Sequence, residues 1–209
     1  MVTHPTTDVE EHYWRNGQTT AGIDEAGRGA LAGPVVAAAV ILNPTAIPEG
    51  IRDSKQLPAS KRHGLALAIQ QSAVAWAIGE ADVAEIERFN ILQATFLAMH
   101  RAVEALPVAP SALLVDGNRY PPSLTPVRCI VGGDRYCLSI AAASILAKHH
   151  RDTWMTTTAH TLYPNYHFDV HKGYGTLKHR QAIVSIGPCE IHRPTFLRRI
   201  MERRPDSRV

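Results

Sequence analysis

The chain has 209 residues, 45% of them hydrophobic and 20% charged, close to the average globular domain, which excludes a disordered, collagenous or coiled-coil chain. That length suits one domain with a full core that needs neither disulfides nor a structural metal. The net charge is only +3, but residues 1–147 carry 11 basic and 14 acidic side chains and residues 148–209 carry 11 and 5, an imbalance that fits an anionic partner or a solvated basic face. In chain order, residues 1–18 are polar, lack an apolar signal core and read as a flexible leader. Residues 20–24 read as a strand, followed by a glycine-rich turn and a second strand over 34–42, close enough to predict an antiparallel hairpin. Pro58 suits the first turn of a helix running to residue 69. Residues 73–79 form a third strand candidate. Asn90 is placed to cap a helix reaching residue 106, with Ile91, Thr95, Ala98, Ala102 and Leu106 on one face. Two short strands follow, 112–115 and 128–131, each ending in turn-forming residues. From Leu138 onward, Leu138, Ala142, Ile145 and Leu146 mark the apolar stripe of a long helix. Strands first, then interleaved helices, predict an α/β domain over 19–204 with a mixed sheet and a helical C-terminal part, and a frayed tail over 205–209.

Cys129, Cys137 and Cys189 are odd in number and form no CxxC pair, which argues against a disulfide framework or a zinc knuckle and for a reducing compartment. The longest apolar stretch, 30–42, is interrupted by Gly33 and Pro34 and falls short of the ~20 residues that cross a bilayer. A cytoplasmic protein with no membrane contact is expected.

Three acidic sites stand where strands stop: Asp24-Glu25, Asp116 and Asp134. Ligands of open α/β sheets gather beside strand ends. Taken singly, each acid reads as an ordinary turn residue. Taken together, four carboxylates at one sheet end repel one another unless a divalent cation neutralises them, and all-oxygen donors favour Mg²⁺ or Mn²⁺ over zinc. There is a geometric obstacle, since adjacent strand residues point to opposite faces. Asp24 and Glu25 reach one site only if Glu25 already belongs to the bend. The histidines match no HExxH or Cys/His zinc spacing.

The segments Asp24-Glu25-Ala26-Gly27-Arg28-Gly29, Asp53-Ser54-Lys55-Gln56-Leu57, Leu114-Val115-Asp116-Gly117-Asn118, Gly133-Asp134, the run from Ser139 to Lys148, Lys172-Gly173-Tyr174-Gly175-Thr176 and His192-Arg193 occur in this order. Together they resemble type 2 ribonuclease H, the bacterial ribonuclease HII family, over residues 20 to 196. The resemblance implies a ribonuclease H-like fold, a mixed five-stranded sheet flanked by helices with a helical C-terminal segment. It implies two divalent ions, Mg²⁺ or Mn²⁺, held by Asp24, Glu25, Asp116 and Asp134. The implied reaction is hydrolysis on the 5′ side of a ribonucleotide, in RNA–DNA hybrids and at single ribonucleotides in duplex DNA, leaving 3′-hydroxyl and 5′-phosphate ends. Gly27, Arg28 and Gly29 would read the 2′-hydroxyl through close backbone approach, and Tyr174 would pack on the deoxyribose 3′ of the ribonucleotide. Ser54, Lys55, Ser144, Lys148, Lys172 and Arg193 are candidate phosphate contacts. Gly132 departs from the family pattern, in which a basic residue often precedes Gly-Asp. A monomer without an obligate protein partner is expected. The competing readings are a nucleic-acid-binding protein that kept the fold without catalysis, and a metal-dependent phosphatase or exonuclease on a related sheet.

Overall fold

The computed structural model describes residues 4–52, 54 and 57–202. Five strands form one sheet in the order β3-β2-β1-β4-β5. These are β1 (Thr20–Ala26), β2 (Val35–Ile41), β3 (Ala75–Ala81), β4 (Ala112–Asp116) and β5 (Val127–Ile130). β1 pairs antiparallel with β2 and parallel with β4, so the expected hairpin forms and β1 becomes the central strand. β2–β3 is antiparallel and β4–β5 parallel, which makes the sheet mixed as predicted.

β2 is apolar throughout because both of its faces are covered. Val35, Ala37, Ala39 and Ile41 pack toward one helix, α3 (Val83–Glu104). Val36, Ala38 and Val40 pack toward α2 (Ala59–Ser72) and α4 (Leu138–Trp154) on the other face. The alanines of β2 and of α4 allow these layers to approach closely. At Gly22 of β1 the approach is limiting: a Cβ there would lie 2.1 Å from the main-chain carbon of Ser139. α4 therefore crosses the central strand directly beneath the site-bearing end of the sheet.

α3 starts seven residues before the expected cap. Asp82 and Glu85 form a capping box at its true start. Asn90 interrupts it with φ 67°, and its Oδ1 accepts from the main-chain N–H groups of Leu92 and Gln93. Asn90 thus caps the second half, while the polar first half, with Ile86 as its buried residue, carries too weak an apolar stripe to announce itself.

The expected flexible leader is a correction. Residues Asp8–Trp14 form a helix, α1, and Glu10 is fully buried. Its Oε1 accepts from the main-chain N–H of Ser139 at 2.6 Å and from the Cys137 thiol at 3.1 Å. Cys137 offers no side-chain cap to α4, so a carboxylate distant in sequence takes the amide at the positive end of that helix.

The C-terminal third adds a further core around Ala32, Met155, Phe168, Ile183 and Leu197. After α4 the chain makes a π-helical turn, Met155–Ala159, then short helices α5 (His160–Leu162) and α6 (Phe168–His171). It continues through α7 (Leu177–Ile186) and α8 (Pro194–Met201). The expected tail, 205–209, lies outside the described residues. Among the described residues no helix is long and apolar enough to cross a membrane.

Candidate active site

β1 and β4 run parallel with Ile23 opposite Val115, so the next residues in register, Asp24 within β1 and Asp116 at the end of β4, stand side by side. Asp24 is 4% exposed. Its carboxyl pKa is held well above the ordinary value, first by burial and then by the negative charges of Glu25 and Asp116. β1 continues to Ala26, so the bend does not begin at Glu25. Asp24 and Glu25 nevertheless meet at the strand's end. Asp24 Oδ1 folds back to accept from the Glu25 main-chain N–H at 2.7 Å, and Glu25 lines the groove outside. Asp116 Oδ1 accepts from the Gly133 N–H at 2.7 Å, which ties β4 to the turn Gly133–Arg135 that carries the buried Asp134. Gly132 takes a left-handed φ of 67° to open that turn.

A groove of ≈390 Å³ adjoins the acids, lined by Glu25, the main chain from Ala26 to Gly29, Ser54, Ser144, Lys148 and Tyr174. Ser144, on α4, sits beside Asp24, where its hydroxyl favours the carboxylate, and its Oγ lies 2.8 Å from Ser54 Oγ. Lys148, one turn further along α4, donates to Asp152 Oδ1 at 2.6 Å and stands 4.7 Å over the Tyr174 ring. Asp152 also receives the buried Arg62 of α2 at 3.0 Å. Arg28 donates to Glu25 Oε1 at 3.0 Å and remains half exposed. Gly27 has φ 94°, and a Cβ there would strike the Arg151 side chain at 2.1 Å, so only glycine fits. At Gly29 the corresponding space is open, which leaves main chain accessible from the groove.

One candidate contact is corrected. Arg193 is fully buried. Its guanidinium donates to the main-chain carbonyls of Arg28, Ala30 and, twice, Gly33 at 2.8–3.1 Å. It therefore clamps the Gly27–Gly29 loop from behind and has no face toward a phosphate. Lys172, just after α6, stands outside the groove lining, with its ammonium on the carbonyls of Asp169 and Val170 of that helix. Lys55 lies outside the described residues. The sequence reading also missed Arg151, which is fully buried and donates to the carbonyls of Pro34, Ala32 and Lys172. Its one local signal is its place one helical turn after Lys148.

Among the described residues no three His, Cys, Asp or Glu side chains are already gathered in metal-holding geometry. The donor chemistry fits a hard divalent cation all the same. Asp24, Glu25 and Asp116 are oxygen donors, the latter two close enough to disfavour the charge on Asp24, and a bound cation relieves that repulsion.

The sequence model of the family described as "Ribonuclease HII" matches residues 21–200. A ribonuclease HII of Nitrosococcus oceani is 54% identical over 188 residues, 89% of this chain and 93% of that one. Among solved structures, the ribonuclease H2 from Pyrococcus horikoshii OT3 superposes with a TM-score of 0.73 at 24% identity, covering 88% of this chain and 98% of its own, which bears out the expected ribonuclease H-like fold. Bst-RNase HIII in complex with Mn²⁺ superposes with a TM-score of 0.60 at 22% identity, covering 81% of this chain and 63% of its own. By family model, sequence identity and fold, this chain belongs to the ribonuclease HII family and is a type 2 ribonuclease H hydrolase.

Proposed function

We propose that the chain hydrolyses the phosphodiester 5′ of a ribonucleotide, in RNA–DNA hybrids and at single ribonucleotides in duplex DNA, leaving 3′-hydroxyl and 5′-phosphate ends. Its cellular role on this reading is ribonucleotide removal and primer clearance in the cytoplasm, as a monomer without an obligate protein partner. The observation that carries the reading is the juxtaposition of repelling carboxylates with a groove walled by accessible main chain, a lysine and a tyrosine. Asp24, Glu25, Asp116 and Asp134 would hold two divalent ions, Mg²⁺ or Mn²⁺, which supply a water nucleophile and charge stabilisation on the departing oxygen. The protein's own part is placement. The Gly133 N–H orients Asp116, and Ser144 with the Glu25 N–H orients Asp24. The main chain around Gly27 and Gly29 offers donors and acceptors to a 2′-hydroxyl, which is both. Lys148 sits beside Tyr174 to meet a phosphate near the sugar on which that ring packs. Ser54 supports Ser144 from the other side.

The test is a duplex carrying one ribonucleotide, incubated with and without Mg²⁺ or Mn²⁺, with product ends mapped. Internal, metal-dependent cleavage 5′ of the ribonucleotide is expected. Binding without cleavage would favour a silent nucleic-acid-binding protein, and release from termini an exonuclease. In the same assay Tyr174→Ala is expected to narrow the preference for the single ribonucleotide over a uniform hybrid by roughly tenfold, the scale of one lost packing contact.

A further inference from the structure

Three histidines lie buried behind Tyr174, and their hydrogen bonds leave no choice of direction. The Cys189 main-chain N–H donates to His192 Nδ1 at 2.9 Å, so the proton of His192 sits on Nε2. His192 Nε2 lies 3.0 Å from His179 Nε2, which must then accept, leaving the His179 proton on Nδ1. His179 Nδ1 lies 3.0 Å from the Tyr174 carbonyl oxygen, an acceptor only. A main-chain donor at one end and a main-chain acceptor at the other thus fix both tautomers. His171 is set independently: the Gly173 N–H donates to its Nδ1 at 3.2 Å, and its Nε2 donates to the Tyr166 carbonyl at 2.6 Å. Its ring stacks on His179 with centroids 4.1 Å apart.

We propose that His179 and His192 are positioning residues for substrate reading, a relay of two neutral imidazoles that sets the place of Tyr174 over the groove from the connection between α7 and α8. The proposal rests on the reading of Tyr174 as a sugar contact. The same connection supplies Arg193, which holds the opposite wall of the groove through Arg28 and Ala30. The strip between them is laced to both sides. Leu31 N–H donates to the Gly173 carbonyl, Gly33 N–H to that of Ile191, and Arg193 N–H to that of Leu31. Two adjacent residues, His192 and Arg193, therefore fix the separation of the tyrosine wall from the glycine wall. A third proton on the relay has no nitrogen or oxygen acceptor: on His192 Nδ1 it would face the Cys189 N–H, with only the weakly accepting Cys189 Sγ at 3.1 Å, and on His179 Nε2 it would face the His192 N–H. The ionisable groups packed around the pair are His171, Cys189 and Tyr166, none of them a carboxylate. Burial and the neighbouring histidines push His179 down to about 3, and burial pushes His192 down to about 4, so both rings stay neutral through the working range.

The first measurement uses the intact wild-type protein. Long-range ¹H–¹⁵N NMR at pH 6 is expected to show His192 protonated on Nε2 and His179 on Nδ1. A charged ring or the opposite tautomer at either position overturns the relay. The second compares the ratio of kcat/KM on a single-ribonucleotide duplex to that on a uniform hybrid. His179→Phe keeps the ring among Phe168 and His171 and removes both hydrogen bonds. It is expected to lower the ratio about as far as Tyr174→Ala does, and the double variant no further. His179→Asn keeps a donor near the Nδ1 position and is expected to restore the ratio to within about twofold, the mark of a lost bond and not of lost packing. Equal slowing of both substrates by His179→Phe, or additive effects in the double variant, overturns the positioning role. If Tyr174→Ala alone leaves the ratio unchanged, the sugar-contact reading fails instead. The relay is then decided by the tautomers and by whether His179→Phe moves the Gly175 and Thr176 amide resonances that report the Tyr174 carbonyl.

Discussion

Asp24 is the residue on which the site's charge balance turns. A buried carboxyl whose folded pKa is raised binds a proton more readily than in the unfolded chain, so its ionisation at neutral pH opposes folding. Asp24→Asn removes that charge at constant volume. In metal-free buffer at pH 7 it is expected to raise Tm, by roughly 2–4 °C for each kcal/mol relieved in a chain of this size. The same variant is expected to lose more than about 100-fold in activity, beyond the loss usual for removing only an outer support of a metal ligand. Thermal melts and the cleavage assay, run on one preparation, check both signs. A variant that melts lower while keeping full turnover contradicts the placement of Asp24 among repelling acids. The acids and the glycine loop were legible in the sequence because each occupies a local word at a strand end. Arg193 was not: its acceptors lie 160 to 165 residues away in sequence, and a buried guanidinium bound by carbonyls looks, in one dimension, the same as one awaiting a phosphate.

Among the elements, α4 is the one on which the others converge. It carries Ser144, Lys148, Arg151 and Asp152 within nine residues, and it is seated on β1 at Gly22. Its start is held by α1. Glu10→Ala would leave the Ser139 N–H buried without an acceptor, a loss of ~1–3 kcal/mol. Glu10→Gln retains an acceptor and is expected to recover most of that, as read by urea unfolding. Equal stability of Glu10→Ala and wild type would mean that α1 does not hold the helix. The sequence reading missed α1 because seven residues with three acids near its start show an apolar face of only Val9 and Tyr13, one turn apart, and the partner of Glu10 lies 129 residues on. It found α4 and β2, whose apolar runs are long and continuous, and it misplaced the start of α3 because a kink at Asn90 imitates a helix start.

For the whole molecule, pH and salt act on different parts. His171, His179 and His192 all have folded pKa values below the ordinary 6.5, with burial the leading cause. Between those values and 6.5 the unfolded chain binds more protons than the folded one, so stability is fully present above pH ~6.5 and falls as pH drops toward 4. For His192 the displacement, from 6.5 to about 4, corresponds to a loss of roughly 3 kcal/mol at full protonation. His192→Asn is expected to flatten the acid limb of a stability–pH curve, and an unchanged limb would mean that the ring titrates normally. Salt acts on the basic C-terminal third. Arg198 and Arg199 are both exposed on α8. If α8 lies against the duplex, neutralising both is expected to reduce the slope of log affinity against log salt by about 2, through loss of counterion release. An unchanged slope places them on a solvated face.

Arg151 and Arg193 give those salt measurements a different baseline. Both guanidiniums are fully buried, and the hydrogen bonds described for them above go to main-chain carbonyl oxygens. Burial pushes the pKa of each downward, yet the carbonyls at their N–H groups favour the charged form. Mobile ions cannot enter between such charges and the loop above them, so their field is screened far less than that of the surface arginines. Two positive charges thus stand permanently beneath the floor on which a phosphodiester backbone would rest. Raising the ionic strength strips away the attraction of α8 but leaves this internal potential in place. Affinity for a polyanion should therefore level off at high salt instead of falling along one straight line.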